Sequence, residues 1–131
     1  MYILIIGGGT MGMSIAHELP DHEVAIIEMN PDKCKRIAHD MDNVKTIQGN
    51  ASKLYVLKKA EFDRADAVVA VTNNDEVNMF ISLLSIKRGK QAVARVHEAE
   101  YIPIFEELGI DNIVSPEKRA AMDVAKKLVW E

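Results

Sequence analysis

A doubly wound α/β domain, a parallel sheet of about six strands with helices on both faces, is the fold class that the sequence predicts. Three observations carry this. Short β-branched, apolar runs alternate with segments of helical spacing along the whole chain. The connections are short, so each strand–helix–strand step makes a right-handed crossover between parallel neighbours. The opening strand also runs straight into a glycine-rich turn that begins a helix. The simplest strand order for such a chain is 3-2-1-4-5-6.

Strands are expected at Tyr2–Ile6, Glu23–Glu28, Val44–Ile47, Ala67–Val71, Gln91–Val96 and Asn112–Val114. The first helix runs from Met11 to about Leu19, with Pro20 as its stop. Asn30-Pro31 opens the second as a cap followed by proline at the first helical position, and that helix reaches about Met41. A third covers about Ser52–Ala60. The fourth, about Asp75–Arg88, closes near Gly89 with Lys87, Arg88 and Lys90 at its negative dipole end. A fifth lies around Ala99–Leu108 and closes at Gly109; Pro103 implies a late start or a bend. Ser115-Pro116-Glu117 opens the last helix, which repeats apolar residues at Ala121, Val124, Ala125, Leu128 and Val129.

The fourth helix is apolar almost all the way round, at Val77, Met79, Phe80, Ile81, Leu83, Leu84 and Ile86. Covering one sheet face needs only a stripe, so its second apolar side meets something else. A subunit contact shared with Tyr101, Ile104 and Phe105 is expected; a neighbouring helix of the same chain is the alternative. Trp130, a residue of buried type beside an end without a helix stop signal, suggests a domain cut from a longer parent.

Composition bounds the rest. The 131 residues are 48% hydrophobic, enough for one domain spanning 1–131. A net charge of −4 argues against broad nucleic-acid binding, which needs clustered cations. The longest opening apolar run, Met1–Ile6, is far too short to span a bilayer, and no signal peptide is visible, so a soluble cytoplasmic domain is expected. The single cysteine, Cys34, excludes an internal disulfide and a cysteine metal cluster. The 4 histidines lack metal spacing and read as surface or cap residues; no metal site and no catalytic residue is assigned.

The strongest local feature is Gly7-Gly8-Gly9-Thr10-Met11-Gly12, a G-x-G-x-x-G directly after a strand. In a Rossmann-like fold Gly7 makes the tight turn, Gly9 lets backbone approach a pyrophosphate, and Gly12 lets helix and strand pack closely. The helix start at Thr10 and Met11 offers unpaired N–H groups and about half a positive charge to phosphate. Glu28 ends the second strand, where an acid accepts hydrogen bonds from ribose hydroxyls and repels a 2′-phosphate. NAD(H) or an adenosine nucleotide therefore fits better than NADP. Gly49-Asn50-Ala51-Ser52 follows the third strand beside the adenine position, where Asn50 brings a donor and an acceptor; capping by Asn50 or Ser52 is compatible. Thr72 and Asn73 fall at the topological switch crevice, next to Asn74 and Asp75, which also suit a helix cap. Arg95, embedded in an apolar strand, needs a partner: phosphate in the crevice, or an acid such as Glu117.

In order, Gly7–Gly12, Glu28, Gly49-Asn50-Ala51-Ser52, the run from Ala65 to Asn78, Ala94-Arg95-Val96 and Leu108–Glu117 resemble the RCK or KTN domain. This is the TrkA-like N-terminal nucleotide-binding domain of potassium channel and transporter regulators. The resemblance covers essentially the whole chain. It implies a nucleotide-sensing regulator that binds NAD(H) or an adenine nucleotide (ADP, ATP or AMP). It implies a homodimer, ring assembly, and a membrane potassium channel or transporter subunit as partner, reached from the inner face of the membrane without insertion. Carried over, Gly7, Gly9 and Gly12 hold the phosphates, Glu28 the ribose, and Asn50 and Ala51 the adenine. Thr72 and Asn73 line the crevice, Arg95 faces the phosphate side, and Glu117 lies near the terminal phosphate, where some members place a divalent ion. Two departures matter. Thr10 stands where many members have an arginine that reaches phosphate, which weakens the case for a triphosphate. Asn50 stands where an aspartate is common. A cofactor-binding fragment of an NAD-dependent dehydrogenase is the alternative, on the fold alone.

Overall fold

The structure, a computed structural model, describes residues 1–129. Trp130, and with it the inference drawn from that residue, lies outside them. Strands β1 (Tyr2–Ile6), β2 (Glu23–Glu28), β3 (Val44–Gln48), β4 (Ala67–Ala70), β5 (Gln91–Arg95) and β6 (Ile113–Val114) alternate with helices α1 (Thr10–His17), α2 (Pro31–Asp40), α3 (Leu54–Lys59), α4 (Asp75–Lys87), α5 (Ile102–Glu107) and α6 (Pro116–Val129). The six strands form one all-parallel sheet in the order β3-β2-β1-β4-β5-β6, as the alternation predicts. Leu4 of β1 lies opposite Ala25 of β2 and Val68 of β4, which places β1 at the centre. All five residues of β1 are buried, the pattern of a strand covered on both faces.

Each face has its own helices. Leu4, Ile6, Ala25, Ile27 and Val68 pack under Val56 and Leu57 of α3 and Ile81 of α4. Ile3, Ile5, Val24 and Ile26 pack under Ala16 of α1 and Ile37 of α2. A fully buried side chain of this size contributes about 1.5–3 kcal/mol by removal from water, so the sandwich around β1 fixes the sheet edge on which the loops sit.

Element ends differ from expectation for local reasons. Helix α1 ends at His17 with Glu18 as its cap, before Pro20 is reached. Helix α3 begins two residues late, because the Asn50 side chain accepts from the Ser52 backbone N–H (2.9 Å) and holds a turn outside the helix. The fifth helical segment is split. Ala99–Tyr101 forms a 3-10 turn, and α5 starts at Ile102 with Pro103 in its first turn, where a missing N–H costs nothing.

The second apolar side of α4 is covered mainly within the chain. Met79, Leu83 and Ile86 pack on a cluster of Ala94, Val96, Phe105 and Ile110. Phe105 is 1% exposed, so it is a core residue and not a surface anchor. Phe80, Ile104 and Leu108 remain exposed beside that cluster. Helix α6 is different: from Glu117 onward every described residue is exposed, including Met122, Val124, Leu128 and Val129.

At the edge of the sheet opposite the glycine turn, Arg64 donates to both carboxylate oxygens of Glu23 (2.9 and 2.7 Å) and to Glu61 (3.1 Å). Its guanidinium also lies over the Tyr2 ring. Hydrogen bonds from Arg64 hold the Glu23 and Glu61 carboxyls below their usual range. A carboxyl lowered in the folded state contributes stability that is present above its unfolded pKa and lost as pH falls through the folded one. Arg64→Met should therefore lower the melting temperature by a few degrees at most at neutral pH. That difference should shrink as pH falls below the ordinary carboxylate range of about 4. Circular-dichroism melts across pH check both statements.

Candidate functional site

The carboxyl ends of β1, β2, β4 and β5 and the loops that follow them line a cavity of about 490 Å³, within the range of small-molecule sites. It holds Gly7, Gly9, Thr10, Met11 and Gly12 at its centre, Glu28, Asn50 and Ala51 at the β2–β3 side, and Thr72, Asn73 and Arg95 at the β4–β5 side. Ser52, expected among the binding residues, does not line it: its N–H and hydroxyl (2.6 Å) both donate to Asn50 Oδ1. Ser52 therefore sets the orientation of Asn50. The Asn50 oxygen is spent on this turn, which leaves its NH2 as the group available to a ligand.

The glycine turn is built by contact distances. Gly7 has φ +110°, and its N–H donates to the Ile27 carbonyl (2.9 Å). A Cβ on Gly12 would stand 1.9 Å from the Gly7 carbonyl oxygen, so α1 can sit on the turn only without a side chain there. A Cβ on Gly9 would meet nothing within 4 Å, which leaves open space above the backbone where a ligand can approach. Gly8 belongs to the same design, although the motif treats it as free. A Cβ there would come within 2.4 Å of Ile37 Cδ1 and 3.1 Å of Glu28 Cβ.

Glu28 is locked before any ligand arrives. One carboxylate oxygen accepts from Gly8 N–H and the other from Asn30 N–H, both at 2.8 Å. The acid thereby ties the glycine turn to the start of α2. Each oxygen keeps a lone pair for a further donor, so the two remaining acceptor sites are held in place on the cavity wall. Asn30 caps α2 through its own side chain, which accepts from Asp32 and Lys33 N–H. That helix brings Lys33 and Arg36 to the same side of the cavity, two cations that the sequence reading did not single out. Cys34 donates to the Glu28 carbonyl (3.3 Å), and burial pushes its thiol up, which makes it a structural group.

On the β4–β5 side a buried amide organises the wall. Asn78 of α4, 0% exposed, accepts from Thr72 N–H (3.0 Å) and hydroxyl (2.7 Å). It donates to the Thr72 and Arg95 carbonyls at 3.0 and 2.9 Å. Thr72 and the end of β5 are thus held by one side chain. Asn74 caps α4 by accepting from Val77 N–H. Asp75 does something else: its carboxylate accepts from His97 and Glu98 N–H (2.8 and 2.9 Å) and fixes the chain after β5.

Of the two partners expected for Arg95, the chain itself supplies the acid Glu117. Arg95 lines the cavity, and its guanidinium donates to Glu117 on the first turn of α6 at 3.0 Å. The same Glu117 oxygen lies 3.0 Å from His97 Nδ1. The hydrogen bond from Arg95 chiefly holds the Glu117 carboxyl below its ordinary range. Arg95 Nε is buried with no partner among the described residues. His97, expected to be incidental, is a member of this cluster. Among the described residues no group of three His, Cys, Asp or Glu side chains forms a metal site, and no helix is long and apolar enough to cross a membrane.

The family model described as the TrkA-N domain matches residues 3–116. The chain belongs to the TrkA-N family. This TrkA-N chain is 36% identical over 128 residues to the Trk system potassium uptake protein trkA homolog 1 of Methanosarcina mazei, matching over 95% of its own length and 32% of the relative's. It therefore spans about a third of that longer protein. Two solved structures share the fold. One is the Shewanella denitrificans Kef CTD in AMP-bound form, with TM-score 0.85 at 20% identity, covering 100% of this chain and 83% of that one. The other is the GsuK channel bound to NAD, with TM-score 0.79 at 24% identity, covering 95% of this chain and 22% of that one.

Proposed function

We propose that this TrkA-N domain is a nucleotide-sensing regulatory module. It binds NAD(H) or an adenine nucleotide (ADP, ATP or AMP) in the cavity and gates potassium transport through a membrane channel or transporter subunit. The observation that carries the reading is the meeting of the glycine turn and the pre-oriented Glu28 carboxylate on one cavity wall. The α1 N-terminus faces phosphate, Glu28 takes the ribose hydroxyls, and Asn50 and Ala51 border the adenine. Thr72, Asn73 and Arg95 face the ligand's second half. The AMP and NAD named for the two fold relatives support this ligand class, and the Trk potassium uptake relative supports the transport setting.

The mechanism is differential affinity. A ligand that binds one geometry of an assembly more tightly shifts the assembly toward it by no more than that difference, typically about 1–3 kcal/mol per site. The module works at the cytoplasmic face of the membrane, within a homodimer and a larger ring, with no insertion of its own. Mass spectrometry of the small molecule that co-purifies with the chain, followed by calorimetric titration, tests the ligand class. Steady turnover of NAD with a panel of alcohols and 2-hydroxy acids would favour the dehydrogenase reading instead. The homodimer is assigned to the exposed trio of Phe80 on α4, Ile104 on α5 and Leu108 at the end of α5. Phe80→Glu should convert it to monomer in light scattering, at least tenfold in dissociation constant for one buried aromatic replaced by a charge, about 1.4 kcal/mol or more. A dimer that survives the change argues for another surface.

A further inference from the structure

The segment from Val44 to Ala60 carries four lysines and no Asp or Glu, in a chain whose acids outnumber its Lys and Arg by 20 to 16. It comprises β3, the loop after it and α3. Helix α3 packs on the sheet through Val56 and Leu57. Side chains four apart share a helix face, so its outward side pairs Leu54 with Lys58 and Tyr55 with Lys59. Leu54 is 66% exposed and Tyr55 72%. Lys53, Lys58 and Lys59 are exposed and have no ion-pair partner among the described residues. The first acid after α3, Glu61, is already held by Lys45 (3.6 Å) and Arg64 (3.1 Å). No residue of α3 lines the nucleotide cavity.

We propose that the outward face of α3 is a peripheral docking surface for anionic phospholipid. Lys53, Lys58 and Lys59 meet the headgroups, while Leu54 and Tyr55 rest at headgroup depth. The proposal goes beyond the nucleotide reading and takes from it only the membrane setting. Charge and residue type favour lipid over an acidic polypeptide. Protein–protein interfaces are enriched in Arg and depleted in Lys, and every cation on this face is a lysine. A lysine is a point charge on a flexible stem, suited to mobile headgroups that offer no fixed bidentate geometry. The cytoplasmic loops of membrane proteins are themselves biased toward Lys and Arg, so a membrane partner presents like charge to this face. The cytoplasmic leaflet presents negative charge, which attracts each lysine within a Debye length. A tyrosine ring, apolar with a polar tip, belongs at the membrane–water interface. A face this small adsorbs weakly and reversibly by itself, and copies joined in an assembly add their contacts.

The test is cosedimentation of the chain with vesicles of phosphatidylcholine alone and of phosphatidylcholine mixed equally with phosphatidylglycerol. The chain should adsorb to the anionic vesicles at about 0.05 M salt, at least about tenfold more than to the neutral ones, and leave them at about 0.5 M salt. Lys58→Glu with Lys59→Glu should lower adsorption at least about tenfold. Leu54→Ser with Tyr55→Ser should lower it at least about threefold. All four side chains are exposed, so the variants should fold, and circular-dichroism melts verify that. Lys126→Glu with Lys127→Glu on α6 makes the same change of net charge elsewhere and should leave adsorption within about twofold. An equal loss in that control reports net charge alone and overturns the proposal. So does adsorption that survives the α3 lysine changes, or none at low salt. Capture by immobilised polyglutamate without adsorption to vesicles assigns the face to an acidic polypeptide and overturns it as well. Calorimetric titration with NADH reads the cavity separately: a parent chain that adsorbs to anionic vesicles but binds no nucleotide overturns the nucleotide reading and supports this one.

Discussion

Gly12→Ala is expected to destabilise the domain by about 2–4 kcal/mol, a large share of the roughly 5–15 kcal/mol that a domain of this size has. Helix propensity alone predicts the opposite, since alanine in a helix is favoured over glycine by about 1 kcal/mol. The contact decides the sign. The new Cβ would lie 1.9 Å from the Gly7 carbonyl oxygen and 3.0 Å from its carbon, both backbone atoms. Gly7 cannot retreat, because its N–H is bonded to Ile27 and its own φ of +110° is already a conformation open to glycine alone. The remaining response is for α1 to lift from β1, which loosens Ala16 and its neighbours from Ile3 and Ile5. Urea unfolding measures the loss. A midpoint equal to that of the parent would mean that α1 shifts at no cost and that the turn does not need its close approach.

The parts of this molecule legible in the sequence are those that a period or a punctuation mark announces. The six β-branched runs give the strands, the βα alternation gives the parallel order, and Gly89 and Gly109 mark where α4 and α5 close. The glycine turn and Glu28 are legible because their spacing reflects one local unit, strand, turn, helix, strand. What was missed depends on contacts between distant segments. Asn78 is a lone amide in an apolar helix, and that mismatch was the available signal; its four hydrogen bonds, to Thr72 after β4 and to Arg95 at the end of β5, are fixed only by the crossover. Phe105 looked like a surface anchor because helical spacing does not say which side of α5 meets Val96 and Ile110. Gly8 seemed a spacer because the obstacle, Ile37, arrives from α2. Lys33 and Arg36 were ordinary helix charges until α2 was placed against the cavity.

Glu28→Ala is expected to reduce nucleotide affinity at least about thirtyfold, the loss of some 2 kcal/mol of charge-assisted hydrogen bonding to ribose. Stability should fall less, by about 1–2 kcal/mol. The carboxylate has two jobs, and they separate in energy. Toward the protein it accepts from Gly8 and Asn30 N–H. Asn30 is exposed, so water can replace the carboxylate there; only the Gly8 N–H, on a buried residue, bears a real penalty. Toward the ligand, alanine removes both acceptors at once and lets the turn that carries Gly8 and Gly9 drift, so the phosphate and ribose contacts weaken together. Glu28→Gln divides the effects. Its one oxygen can still hold Gly8 N–H, so the melting temperature should recover toward the parent value. Its NH2 cannot accept from a ribose hydroxyl, so affinity should remain depressed. Calorimetry with NADH, NAD, ADP, ATP and AMP, paired with thermal melts, reads both quantities. Affinity that is unchanged in a folded Glu28→Ala chain would remove the ribose from this position and, with it, the reason for the acid at the end of β2.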